Sequence, residues 1–214
     1  MWATSQKPRT EKETRRGFTI VELLIVIVVI GILAAIVIVA YSGIQKRARN
    51  VSVINTASEY RTIFMAYAAQ NSQYPSGNTL IGYCLGSGYV DYNSDGIGDC
   101  VDNGSGFYVS ENSSYNAMLK TVVAGLPNTA TTVYTRISDS SKVSGIRYDY
   151  GADRTLDGTS NPYWIVYLLE DATSKCGSDT VQITTWPAFS SSGGSPDVFG
   201  TSAVQCWLPL PTPG

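Results

Sequence analysis

The chain has 214 residues, with 15 Lys or Arg against 17 Asp or Glu, and it contains no His. Its length suits one domain, or one domain with an appendage, and a 43% hydrophobic content is enough to build a real core. The near-neutral charge and a pI of about 5.1 argue against binding held mainly by phosphate contacts. The missing His excludes serine–histidine hydrolases, papain-like thiol enzymes and His-ligated zinc sites.

These averages conceal an uneven distribution along the chain. Residues 1–17 are polar, with Lys7, Arg9, Lys12, Arg15 and Arg16 against Glu11 and Glu13. Residues 18–41 then carry a single charge, Glu22, and every residue from Leu23 to Ala40 is apolar or Gly. A helix rises ~1.5 Å per residue, so about 20 such residues cross a hydrocarbon layer ~30 Å thick. Basic residues ahead of the run keep the N-terminus cytoplasmic and place the remainder outside, as a single-pass chain. A secretory signal peptide would instead show a shorter apolar region and a small-residue cleavage site.

No proline interrupts the sequence from Phe18 until Pro75. Across residues 42–73, two neighbouring stripes recur at three- and four-residue spacings. One contains Ile44, Ala48, Val51, Ile54 or Asn55, Ser58, Thr62, Met65 and Ala69; the other contains Ala48, Val51, Ala57, Tyr60, Phe64, Tyr67 and Ala68. The pattern predicts an amphipathic helix continuing the hydrophobic one. Gly31 and Gly43 are its weak points, since a helical Gly costs about 1 kcal/mol relative to Ala.

The string Arg15-Arg16-Gly17-Phe18-Thr19-Ile20-Val21-Glu22-Leu23 resembles the processing site of the type IV pilin and pseudopilin family. The resemblance implies that a prepilin peptidase cuts between Gly17 and Phe18 and N-methylates Phe18, removing a leader of 17 residues. It further implies that Glu22 faces the N-terminal amine of Phe18 in a neighbouring copy, rewarding correct register. A carboxylate in an apolar helix is costly and usually partnered, which agrees with that role.

From residue 74 the composition changes to Gly, Ser, Asn, Thr and Tyr with short apolar runs. Thr131–Ile137, Gly145–Tyr150, Trp164–Leu169 and Thr180–Trp186 read as strands bounded by turn residues. Asn112–Val123 reads as a short helix capped by Asn112 or Ser113. The expected fold is α+β, with the long N-terminal helix packed on a small antiparallel sheet in a head spanning 74–214. The C-terminal end, with Pro209, Pro211 and Pro213, is expected to be extended or loose.

All four cysteines, Cys84, Cys100, Cys176 and Cys206, lie in this head. An exported chain meets oxidising conditions, so an even count reads as disulfides. Three connectivities are open. Nearest-neighbour pairing, Cys84–Cys100 and Cys176–Cys206, is preferred, and its second bridge resembles the C-terminal disulfide region of pilins. Zinc is disfavoured because no C-x₂₋₄-C pair occurs.

Between the first two cysteines begins the run DYNSDGIGDCVD, residues 91–102. Asp91, Asn93, Asp95, the Ile97 carbonyl, Asp99 and Asp102 fall at loop positions 1, 3, 5, 7, 9 and 12, with Gly96 at position 6. Hard cations need oxygen ligands at alternate positions and a glycine for the sharp turn. A weak structural calcium site (~10⁻⁴–10⁻³ M) is therefore expected, against an Asp/Asn/Gly turn held by its own side chains.

No catalysis is expected, and no G-x-S-x-G nucleophile motif occurs. Tyr with Lys or Arg can stack on nucleic acid, but fourteen tyrosines among strands fit sheet packing better. The sequence thus reads as a structural filament subunit, anchored in the cytoplasmic membrane as a precursor and then extracellular. Its expected partners are copies of itself in a helical filament, the prepilin peptidase, the pilus assembly machinery and, before assembly, the membrane. A type II secretion or DNA-uptake pseudopilin is the alternative in the same architecture. An uncleaved membrane-anchored adhesin or binding domain is the alternative of another class.

Overall fold

The computed structural model describes residues 17–75, 82–104, 106–129, 132–135, 140, 142–150, 155–156, 159–171, 173–183 and 203–213. The leader up to Arg16 lies outside the described residues. So do Thr131, residues 136–137 and residues 184–186 of the expected strands. The chain divides into two compact units, one ending at Gln45 and one beginning at Lys46. Helix α1 (Ile20–Asn71) contributes to both.

The start of α1 is a capping box. The Glu22 N–H donates to Thr19 Oγ1 at 3.2 Å, while Glu22 Oε2 accepts from the Thr19 N–H at 2.9 Å. Two otherwise unpaired backbone donors are thereby satisfied. At the other end, Ser72 adopts φ +57° and its N–H bonds the Ala68 carbonyl at 2.7 Å. Pro75 follows, where the helix cannot continue.

In the first unit, the large apolar side chains from Phe18 to Ile38 are 47% to 85% exposed. In the second unit, α1 buries Asn50, Val53, Ala57, Tyr60, Ile63 and Phe64. Ala57, Tyr60 and Phe64 of the second expected stripe are buried as read, whereas Ala48 and Val51 are exposed and Asn50, Val53 and Ile63 are buried instead. Adjacent helical stripes share one period, and what selects between them is the surface they meet.

That surface is a five-stranded antiparallel sheet in the order β1-β6-β9-β11-β10. Its members are β1 (Tyr83–Cys84), β6 (Ile146–Tyr150), β9 (Tyr163–Glu170), β10 (Val181–Ile183) and β11 (Ala203–Pro209). Ile146, Tyr148, Ile165, Tyr167, Leu169, Val204, Cys206 and Leu208 alternate along three strands and form one core with the helix. Phe64 stacks on Tyr148 with centroids 4.9 Å apart and meets Tyr74 edge-on at 5.9 Å. Such pairs contribute about 0.5–1.5 kcal/mol beyond area burial. The sheet's other face buries Trp164, Val166 and Trp207, with an Arg147–Asp149 pair at 3.8 Å.

The second sheet has the order β3-β2-β5-β4. Here β2 is Asp99–Asp102, β3 Tyr108–Ser110, β4 Val133–Thr135 and β5 Lys142–Ser144. Cys84, Tyr89, Cys100, Val101, Val109, Val143, Leu168 and Ala203 form a core cluster with residues from both sheets. Between β5 and β6, Gly145 sits at φ +62°, and a Cβ there would lie 2.3 Å from the Tyr89 ring. A two-stranded ribbon, β7 (Thr155–Leu156) and β8 (Thr159–Ser160), completes the strands. The short helix α2 spans Ser113–Leu119, and Asn112 Oδ1 caps it by accepting the Tyr115 N–H at 2.8 Å.

Both nearest-neighbour disulfides are present. Cys84–Cys100 has its Cα atoms 5.7 Å apart and Cys176–Cys206 has them 5.6 Å apart. The expectation of a loose C-terminal end is corrected, because β11 is an inner strand with six buried residues. Its proline stands at the last strand position, where the ladder ends. Beyond it, Leu210 is buried and its N–H bonds the Tyr163 carbonyl at 3.0 Å.

Candidate assembly helix and head loop

The expected processing residues sit at the exposed start of the chain's described part. Gly17 precedes the helix, and Phe18 is 79% exposed. Arg15 and Arg16 lie outside the described residues. Glu22 takes the Thr19 hydroxyl at 2.7 Å as well as its N–H, both on Oε2. Among the described residues Oε1 has no partner.

Helix α1 is long and apolar enough to cross a membrane, by length and composition. A helix apolar on every side belongs in lipid or in the core of a larger assembly. A Cβ at Gly31 or Gly43 would meet nothing within 4 Å. Nothing in the single chain therefore requires glycine at either position.

The acidic loop begins after Val90, whose carbonyl accepts the N–H of Asp99, the first residue of β2, at 2.8 Å. Glu111 steadies the approach, with Oε1 accepting the Gly88 and Tyr89 N–H groups at 2.7 and 2.9 Å. Inside the loop Asp91 accepts the Ser94, Asp95 and Gly96 N–H groups at 2.6, 3.2 and 2.8 Å. Asn93 accepts from the Asp95 N–H and donates to Asp95 Oδ2, both at 3.0 Å. Asp95 Oδ1 accepts the Ile97 N–H at 2.8 Å. Gly96 makes the sharp turn at φ +86°.

Asp99 and Asp102 belong to β2 and are buried. Asp99 accepts from the Tyr92 N–H at 3.1 Å and the Ser110 hydroxyl at 2.6 Å. Asp102 accepts the Gly104 N–H at 2.8 Å and lies 3.9 Å from Lys142 Nζ. The structure thus brings Asp91, Asn93 and Asp95 together in the turn and places the last two carboxylates on the strand. Among the described residues no group of three or more His, Cys, Asp or Glu is set to hold a metal ion.

A polar clamp between α1 and β9 has no signature in the sequence. Asn50 Nδ2 donates to the Glu170 carbonyl at 3.0 Å and to Ser174 Oγ at 2.8 Å, and its Oδ1 accepts the Glu170 N–H at 2.8 Å. Beside it the Arg49 guanidinium holds the Glu170 carboxylate through two bonds of 2.7 and 2.8 Å. That carboxylate raises the Arg49 pKa. The residues are about 120 positions apart, so no periodicity announces the contact.

Residues 14–38 match the prokaryotic N-terminal methylation motif. Over 68 residues the chain is 37% identical to a fimbrial protein of Neisseria meningitidis serogroup A, covering 32% of this chain and 40% of that one. It is 35% identical over 68 residues to the type IV major pilin protein PilE1 of Neisseria gonorrhoeae, covering 32% and 41%. It is 32% identical over 65 residues to the type II secretion system core protein G of Klebsiella michiganensis, covering 30% and 46%. No solved structure matches the chain.

Over its N-terminal third the chain is thus similar to type IV pilins and to a type II secretion core protein. The chain spans less than half the length of the curated relatives it matches.

Proposed function

We propose that the chain is the structural subunit of a type IV pilus or pilus-like filament. It is made as a single-pass precursor in the cytoplasmic membrane, with the head outside. Prepilin peptidase cuts between Gly17 and Phe18 and methylates Phe18. The pilus assembly machinery then stacks the helix against copies of itself. One observation carries this reading: the unbroken exposure of apolar side chains from Phe18 to Ile38, directly after the methylation-motif start. Glu22 Oε1, left open by the capping box, receives the Phe18 amine of a neighbouring copy. The test is the mass of the protein extracted from membranes and filaments. A chain lacking 17 residues and carrying one added methyl on Phe18 agrees. An intact Met1, or a cut near Ala40, refutes cleavage at Gly17 and favours the uncleaved anchored adhesin.

The identity with a type II secretion protein G favours a second reading, a pseudopilin of a secretion system. It shares the processing and the helix, and differs in where the polymer ends.

We propose further that the 91–102 loop takes calcium in a structural role. The support is the alternate oxygen spacing, the exposure of Asp91 and Asp95, and the left-handed turn at Gly96. Asp91, Asn93, Asp95 and the Ile97 carbonyl would hold the ion first. Asp99 and Asp102 would have to exchange their present partners to join them.

A further inference from the structure

Beyond the apolar run, α1 carries Lys46, Arg47 and Arg49. A hydrocarbon layer of about 30 Å takes about 20 helical residues, and the headgroup zone adds about 5–8 Å on each side. Counted from Leu23, the hydrocarbon ends near Ser42, and about five further residues cross the headgroups. Lys46 and Arg47 fall at that level, and Tyr41, 59% exposed, stands where aromatic side chains mark the interface.

The fold then divides the roles of the bases. Arg49 is held by Glu170, whereas Lys46 and Arg47 are exposed. A fourth base arrives from the head. Ser174 is bonded to the Asn50 side chain, about one helical turn beyond Arg47, and exposed Lys175 is the next residue. The acids facing this level are Glu170, paired with Arg49, and Asp171. The Asp171 carboxylate accepts the Thr173 N–H and hydroxyl and feels the charge of Lys46. Four bases against two acids leave the level positive.

We infer that Lys46, Arg47 and Lys175 form a basic collar that binds the phosphates of anionic lipids on the outer side of the membrane, before the chain leaves it. The inference rests on the membrane-anchored reading above. Each Lys or Arg near an anionic surface strengthens association about fivefold. Long stems let the charged heads reach the phosphates while covering apolar surface.

The test uses the full chain incorporated into vesicles of phosphatidylcholine with spin-labelled phosphatidylglycerol or spin-labelled phosphatidylcholine. The association of each lipid with the protein is read by electron spin resonance. The collar requires the phosphatidylglycerol label to associate about fivefold more strongly, and the preference to vanish at 1 M salt, where the Debye length is about 3 Å. K46Q/R47Q and K175Q should each lower it, with far-ultraviolet circular dichroism unchanged. Equal association of the two labels with the unaltered chain overturns the collar alone. A preference untouched by K175Q overturns the head's share in it. A chain that enters no vesicle refutes the membrane reading and the collar with it.

Discussion

Asn50→Ala removes the clamp that fastens α1 to the end of β9. The Glu170 carbonyl keeps the Ser174 hydroxyl as a donor, but the Glu170 N–H loses its acceptor, Asn50 Oδ1. Asn50 is 8% exposed, so the orphaned donor gains little water. An unsatisfied buried donor costs about 1–3 kcal/mol and each lost hydrogen bond about 0.5–1.5 kcal/mol. Together these predict a loss of about 2–4 kcal/mol. Arg49→Ala removes a shorter-looking ion pair, yet the Arg49 side chain is 49% exposed, and exposed pairs contribute little. The order Asn50→Ala far worse than Arg49→Ala is therefore the prediction. Urea unfolding of residues 46–214, followed by tryptophan fluorescence, measures it. Equal losses, or a larger loss for Arg49→Ala, would refute the claim that the buried amide rather than the ion pair fastens the helix.

Four further outcomes are expected of the same structure. Gly31→Ala should strengthen the isolated helix by about 1 kcal/mol yet impair filament formation if a neighbour packs against that glycine; normal filaments on electron microscopy grids would remove the packing role. Glu22→Ala should still insert and be cleaved but assemble poorly, and normal fibre yield would sink the pairing with Phe18. Burial pushes the hydroxyls of Tyr89 and Tyr74 up to about 12 from an ordinary 10.0. A raised folded pKa favours the protonated native state, so stability is whole below pH 10 and falls between 10 and 12; urea midpoints unchanged to pH 12 would contradict it. If the loop takes calcium, chelation should lower the melting temperature of residues 46–214 and added calcium should restore it, whereas no shift in either direction removes the metal.

The parts of this molecule that were legible in the sequence are those whose signal is local. The apolar run and the Asn112 cap each lie in one continuous stretch of sequence, whereas the Thr19–Glu22 capping box went unread. Strands β6 and β9 were legible because Val, Ile, Tyr and Trp cluster between turn residues. Strand β11 was hidden by its setting, with serine- and glycine-rich sequence before it and prolines after. It is also buried on both faces, so it lacks the alternation that marks a half-buried strand. The helix's core stripe was legible from Ala57 to Phe64 but not at its start, where Val51 and Val53 are equally apolar and the choice falls to Asn50 and the sheet. In the acidic loop the spacing was visible but the strand was not. Asp99 and Asp102 read as ligand positions, and the structure gives them work in β2.

The central claim is that the exposed apolar helix exists to polymerise. Surface fibres sheared from cells that make the chain, imaged by electron microscopy and then identified by mass spectrometry, test it most directly. The account predicts thin filaments whose main peptide begins at methylated Phe18 and extends to the C-terminus of this chain. Fibres without this chain, or the chain found solely as an uncleaved membrane-bound monomer beginning at Met1, would contradict it.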